Sequence, residues 1–178
     1  MKRVKLWDKE FEISYPASEI KKDIEKLADK INRELGNETV PLFISVLNGS
    51  FMFTADFLRL INFPCQVSFV KLASYMGTST TGTVNQLIGI NEGVEGRPIV
   101  ILEDIVDTGI TLAKLVESLA VLNPKFIKVA TLLFKPEAYK GQLKIDYIGK
   151  EIPNDFIVGY GLDYNGLGRN LADIYTLV

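Results

Sequence analysis

Apolar residues recur at three- and four-residue steps from Ile20 through Ile24, Leu27 and Ile31 to Leu35, with charged residues between them. That spacing lines one helix face and predicts an α-helix over about residues 18–35. Ser18 stands where a cap is wanted and Gly36 where a helix ends. The run Val40-Pro-Leu-Phe-Ile-Ser-Val-Leu47 is short and apolar, as a buried strand is. Asn48-Gly49-Ser50 interrupts it, and helical spacing resumes from Phe51 to Ile61. An Asn-Gly pair between apolar runs is also a hairpin signal. Met52, Ala55, Leu58 and Arg59 suit a helix better, so the segment reads as strand–turn–helix.

Gln66 to Leu72 predicts a strand, Ser74 to Asn85 a long loop with few anchors, and Gln86 to Ile90 a strand that pairs back. Ile99-Val-Ile-Leu102 predicts a central strand. A helix follows from about Thr111 to Leu122, and Pro124 stops it. Ile127 to Phe134 is the next strand, and Ile145 to Ile148, Phe156 to Tyr160 and Ile174 to Val178 are short ones. No strong element precedes the first helix, because Met1 to Glu12 mixes charges with single apolar residues. Strands alternating with helices favour an α/β fold with a mainly parallel sheet flanked by helices.

Composition narrows the chemistry. A chain of 178 residues suits one domain, and 47% hydrophobic residues supply a core. A net charge of −2 offers no field for a polyanion, so no nucleic-acid partner is expected. No run reaches the length of a membrane span, and no signal-peptide core is present, so a cytoplasmic, soluble domain is expected. The one cysteine, Cys65, excludes an internal disulfide and fits a reducing compartment. There is no histidine, so acid–base work must fall to Asp, Glu, Lys or Tyr.

The richest segment is Ile99 to Thr111: an apolar strand, then Glu103, Asp104 and Asp107, then Thr108-Gly109 opening a helix. Parallel sheets bind ligands at the carboxyl ends of their strands, and a helix N-terminus offers unpaired N–H groups to an anion. Gly109 allows close backbone approach, and Thr108 and Thr111 add hydroxyls. Three carboxylates would repel a phosphate unless a hard cation such as Mg²⁺ bridges the charges, or unless they accept from sugar hydroxyls. A phosphorylated ribose meets both conditions. The bland alternative is a helix with acids at its favourable end.

Val100-Ile-Leu-Glu-Asp-Ile-Val-Asp-Thr-Gly-Ile-Thr111 resembles the phosphoribosyl pyrophosphate motif of type I phosphoribosyltransferases. Three further segments resemble the hypoxanthine-guanine members. They are the pyrophosphate loop in Val46 to Asp56, the start of a flexible loop in Lys71-Leu-Ala-Ser-Tyr75, and a base-binding hood in Phe156 to Asn165 with Arg169. The resemblance covers about residues 40–178. It implies the type I fold with a small hood subdomain, built here from the two ends of a single domain spanning residues 1–178. It also implies transfer of a phosphoribosyl group to a 6-oxopurine base, with Mg²⁺ as cofactor, small-molecule substrates and a homo-oligomeric state.

Residue roles follow from the same resemblance. Glu103 and Asp104 would hold the ribose hydroxyls and the metal. Asp107 would be the general base at purine N7. Residues Asp107, Thr108, Gly109, Ile110 and Thr111 would bind the 5′-phosphate. Leu47, Asn48, Gly49 and Arg169 would bind pyrophosphate. Lys135 would donate to the 6-oxo group, although a lysine is by composition a surface residue. Phe156 would stack on the base, Ile157 and Asp163 would accept from a guanine amino group, and Asp163 would meet a second Mg²⁺. Ser74 and Tyr75 would close over the reacting centre. The resemblance also implies a cis peptide at Leu47–Asn48. Asn48 departs from the Lys or Arg of many relatives, and Asn170 from the acid of some. A non-catalytic regulator on the same fold and a flavodoxin-like phosphate-binding module are the rival readings.

Overall fold

The computed structural model describes residues 3–73, 85–90 and 92–178. Its larger sheet has six strands: β3 (Leu42–Leu47), β4 (Gln66–Ala73), β5 (Asn85–Ile88), β6 (Pro98–Val106), β7 (Phe126–Phe134) and β8 (Tyr147–Glu151). The order is β5-β4-β3-β6-β7-β8; β4, β3, β6, β7 and β8 run parallel and β5 is antiparallel at the edge. Three helices cover it: α1 (Ala17–Leu35), α2 (Phe51–Leu58) and α3 (Ile110–Ala120).

Alternation along the strands assigns the two faces. Phe43, Val100 and Leu102 pack with Ile20, Ile24, Leu27, Phe53 and Phe57 of α1 and α2. Leu42, Ile44, Ile99 and Ile101 pack with Leu112, Leu115 and Leu119 of α3. Both faces are covered, which is why the central strands read as unbroken apolar runs.

A second sheet is antiparallel and joins the two ends of the chain. It contains β1 (Arg3–Leu6), β2 (Lys9–Tyr15), β9 (Ile157–Val158) and β10 (Ile174–Leu177), in the order β1-β2-β10-β9. Leu6 pairs with Lys9, so β1 and β2 meet through the two-residue turn Trp7-Asp8, with Trp7 at φ 53. Neither residue advertises a hairpin as Asn-Gly does, so no element was expected before α1.

Other boundaries also shift. Helix α1 starts at Ala17, and Ser18 makes no cap; instead the Ala17 N–H donates to Asp173 Oδ1 at 2.8 Å. A first-turn donor is thus satisfied from 156 residues away rather than locally. Strand β6 continues to Val106, so Glu103 and Asp104 lie on the strand and not in the loop after it. Helix α2 stops at Leu58, and β8 begins two residues later than the expected Ile145.

Candidate active site

Strands β3, β6 and β7 end side by side, and the loops after them converge with the turns following β9. Beyond β6 the chain turns through Asp107 and Thr108 to Gly109, which has φ 77 and opens α3. That left-handed conformation favours glycine. Residues Asp107, Thr108, Gly109, Ile110 and Thr111 line a cavity of about 140 Å³, with Glu103 on its wall. The first N–H groups of α3 have no partner inside the helix, and its dipole favours an anion there. Thr108 and Thr111 are exposed, as hydroxyl donors to a ligand must be.

The adjacent carboxylates diverge. Glu103 is buried and faces the cavity, whereas Asp104 presses on Gly49, where an added Cβ would lie 1.6 Å from its Oδ2. The Gly49 carbonyl oxygen in turn abuts Gly161, whose added Cβ would lie 2.0 Å away. Gly49 is therefore clasped between β6 and the β9 turns, and any side chain there would push them apart. The peptide Leu47–Asn48 is cis, as expected. Ser50 and Thr54 both share hydrogen bonds of 2.7 Å with Ser45 Oγ, a buried hydroxyl cluster beneath this loop.

Arg169 joins the same convergence. Its Nη1 donates to the Gly161 carbonyl at 2.7 Å, and its Nη2 lies 2.6 Å from Asp163 Oδ1. Asp163 Oδ2 accepts from the Gly166 N–H at 2.8 Å, so both of its oxygens are engaged within the protein.

Lys135 follows β7 and is 7% exposed, so it is not a surface lysine. Its Nζ lies 3.6 Å from Asp107 Oδ2, while the Asp107 side chain keeps 49% exposure. Phe156 is exposed beside the edge strand β9 and belongs to an aromatic group with Phe11 and Tyr164 at 6.2 and 5.8 Å. The Phe156 carbonyl accepts from the Leu177 N–H. Alternation turns the next carbonyl, that of Ile157, to the open edge of the sheet. Ser74 and Tyr75 lie outside the described residues.

Burial raises the Glu103 carboxyl well above the ordinary range, and the Asp104 charge beside it adds to the effect. Burial also pushes Asp104 up to about 6, with Asp163 adding to the rise; hydrogen bonds from backbone N–H groups and the Arg169 charge oppose it. Both acids at this strand end are therefore harder to ionise than in water.

Residues 15–165 match the phosphoribosyl transferase domain. The chain is 42% identical over 161 residues to the hypoxanthine-guanine phosphoribosyltransferase of Bacillus subtilis, covering 89% of this chain and 88% of that one. It is 38% identical over 171 residues to the hypoxanthine phosphoribosyltransferase of Salmonella typhimurium, covering 94% and 95%. The crystal structure of a Bacillus anthracis hypoxanthine-guanine phosphoribosyltransferase, with a HEPES molecule in its active site, superposes with a TM-score of 0.87 at 36% identity, covering 94% and 96%. The chain is a phosphoribosyltransferase of the hypoxanthine-guanine family.

Three supports of this phosphoribosyltransferase site escaped the sequence reading. Tyr160 anchors the β9 turns to α2 through a 2.6 Å hydrogen bond from its hydroxyl to Asp56 Oδ2. Tyr139 fills the space where Gly109 would carry a Cβ. The Trp7-Asp8-Lys9 turn touches the hood segment: Trp7 Nε1 donates to the Asn165 carbonyl, Tyr164 Oη donates to Asp8, and Lys9 Nζ lies 4.8 Å from the Tyr164 ring centroid. Only Tyr160, an aromatic between two glycines, carried any local signal.

Proposed function

We propose that this phosphoribosyltransferase moves the 5-phosphoribosyl group of phosphoribosyl pyrophosphate onto hypoxanthine, and onto guanine, releasing pyrophosphate. The observation that carries the reading is the buried Lys135 Nζ at 3.6 Å from Asp107. A donor and a carboxylate at that spacing match the 6-oxo and N7 edge of one purine. The C1′–O bond to pyrophosphate breaks, the C1′–N9 bond forms, and the N7 proton passes to Asp107. Lys135 donates to the 6-oxo group, Phe156 supplies a stacking face, and the Ile157 and Asp163 carbonyls accept from the guanine amino group. Residues 107–111 grip the 5′-phosphate. Leu47, Asn48 and Gly49 present backbone to the pyrophosphate, with Arg169 as its cation. Ser74 and Tyr75 close over the reaction and keep water from an oxocarbenium-like centre.

Among the described residues no three metal-ligating side chains form a ready cage. Mg²⁺ does not require one, because it commonly takes one or two carboxylates and completes its shell with water and substrate oxygens. The all-oxygen pair Glu103 and Asp104 fits that habit. Glu103 and Asp104 would hold Mg²⁺, which would supply positive charge beside the pyrophosphate. Asp163 would meet the second ion with its remaining lone pairs while it holds Arg169 toward pyrophosphate.

The small sheet serves as the hood of one domain. Val67 and Phe69, both exposed on β4, favour a homo-oligomer. Among the described residues no helix is long and apolar enough to cross a membrane. The free Cys65 fits placement in the cytoplasm. The deciding experiment is turnover of hypoxanthine, guanine, xanthine and adenine with phosphoribosyl pyrophosphate and Mg²⁺, with light scattering for assembly. Hypoxanthine and guanine should react, and adenine hardly at all. Adenine used as well as hypoxanthine would overturn the assignment of Lys135.

A further inference from the structure

We infer that Tyr139 is a positioning residue that holds the 5′-phosphate loop in its binding shape from behind. The inference rests on the transfer reaction proposed above. An added Cβ on Gly109 would lie 2.3 Å from Tyr139 Cε2, so the ring presses directly on the left-handed glycine. Tyr139 does not line the phosphate cavity, so it acts on the loop and not on the ligand.

The ring is itself fixed on several sides. Its hydroxyl donates to the Leu143 carbonyl at 2.6 Å, and its own N–H donates to the Lys135 carbonyl at 3.1 Å. The Phe134 ring meets it edge-on, with centroids 5.3 Å apart. An added Cβ on Gly141 would lie 2.7 Å from the Tyr139 hydroxyl oxygen, so this glycine too makes room for it. Beside the ring, the Lys140 N–H donates to the Thr108 carbonyl at 3.4 Å. That bond points the carbonyl toward the 135–143 turn and leaves the N–H side of the loop to the cavity. Gly109 has many conformations open to it, and only one aims the N–H groups of residues 109–111 at a phosphate. Tyr139 removes the alternatives. It also packs the loop against the 135–143 turn.

The test compares Tyr139→Leu and Tyr139→Phe in the full chain. One measurement is calorimetric titration with ribose 5-phosphate; the other is steady-state kinetics with hypoxanthine, phosphoribosyl pyrophosphate and Mg²⁺. Tyr139→Leu should weaken ribose 5-phosphate and raise the phosphoribosyl pyrophosphate KM by about tenfold, with kcat and hypoxanthine KM within about threefold. Tyr139→Phe keeps the ring on Gly109 and should stay within about twofold of the parent in both. A Tyr139→Leu protein with a lowered Tm but unchanged ribose 5-phosphate affinity would make Tyr139 merely structural. So would a Tyr139→Phe protein as impaired as Tyr139→Leu, because the ring contact would then not be the cause. If Tyr139→Leu does not fold, Tyr139→Met takes its place, since its flexible chain fills the gap without bracing the loop. A parent enzyme that binds ribose 5-phosphate but makes no nucleotide would sink the proposed reaction, and the titrations would still decide on Tyr139.

Discussion

Lys135 Nζ and Asp107 Oδ2 are 3.6 Å apart, one buried and the other half in water. This asymmetry fits a pair that a base must enter: the lysine is fixed, and the carboxylate stays reachable. Desolvation by the incoming purine strengthens both contacts. Asp107→Asn keeps the shape but cannot take a proton. It should slow single turnover by on the order of 100-fold while leaving phosphoribosyl pyrophosphate affinity within a few-fold. An unchanged single-turnover rate would remove Asp107 from the base role. Lys135→Met removes the only side-chain donor assigned to the oxo edge. It should narrow the preference for hypoxanthine over adenine, read as a ratio of kcat/KM values.

Asp104 ties stability to pH in the metal-free protein. Its folded pKa, about 6, lies above the usual carboxyl value. Between the two values the folded state holds more protons than the unfolded one. The contribution to stability is therefore full below the usual carboxyl range and is lost as pH rises toward 6. Asp104→Asn removes this loss and retains an oxygen for the Ile105 N–H that Asp104 now serves. The variant should be more stable than the parent at pH 7.5 by on the order of 1–2 kcal/mol, and the difference should shrink toward pH 4.5. Urea melts of both proteins with a chelator, at the two pH values, check it; an equal difference at both would refute it. Activity should meanwhile collapse if Asp104 holds Mg²⁺ as proposed.

The hood is tied to the core at Tyr160. Burial and the Asp56 carboxylate raise its hydroxyl pKa far above the usual value, so it remains a donor at any working pH. Tyr160→Phe keeps the ring in the core and deletes only the bond to Asp56. The expected cost is about 1 kcal/mol in urea unfolding. The KM for phosphoribosyl pyrophosphate should rise, because Gly161, which orients Arg169 and lies against Gly49, follows directly on Tyr160. An unchanged KM would argue against the anchor.

Much of this was legible in the sequence wherever the cause is local. The stripe Ile20 to Leu35 gave α1, and the run before Glu103 gave β6, because periodicity and burial act over a few residues. The 107–111 loop was legible as a turn opening α3 because Gly109 and its neighbours act from consecutive positions. What stayed hidden is set by partners far along the chain. Ala17 is capped by Asp173, Tyr160 is held by Asp56, and Gly49 is small because Asp104 lies against it. The pairing of Arg169 with Asp163 belongs to the same class, since two residues given separate ligands turn out to hold each other.

That pairing sharpens the question of pyrophosphate at Asn48. The Asn48 side chain is exposed, neutral and short, so it cannot supply the charge-assisted bond of a lysine or arginine. Gly49 is set by its contact with Asp104 and places the loop backbone beside the end of β6. Arg169 is a cation near this loop, and the Gly161 carbonyl already orients it. Asn48→Ala should change the pyrophosphate Kd by under about threefold. Arg169→Ala should raise it by tenfold or more, on the order of a lost charge-assisted hydrogen bond. Asp163→Asn should loosen the hold on Arg169 and fall between the two. Asn48→Lys adds a second cation, so it should tighten pyrophosphate and lower kcat if product release limits turnover. Calorimetric titration of the four variants with Mg²⁺-pyrophosphate decides. If Asn48→Ala costs as much as Arg169→Ala, the asparagine side chain is itself a principal ligand, and the cation at Arg169 is not what replaces the missing basic residue.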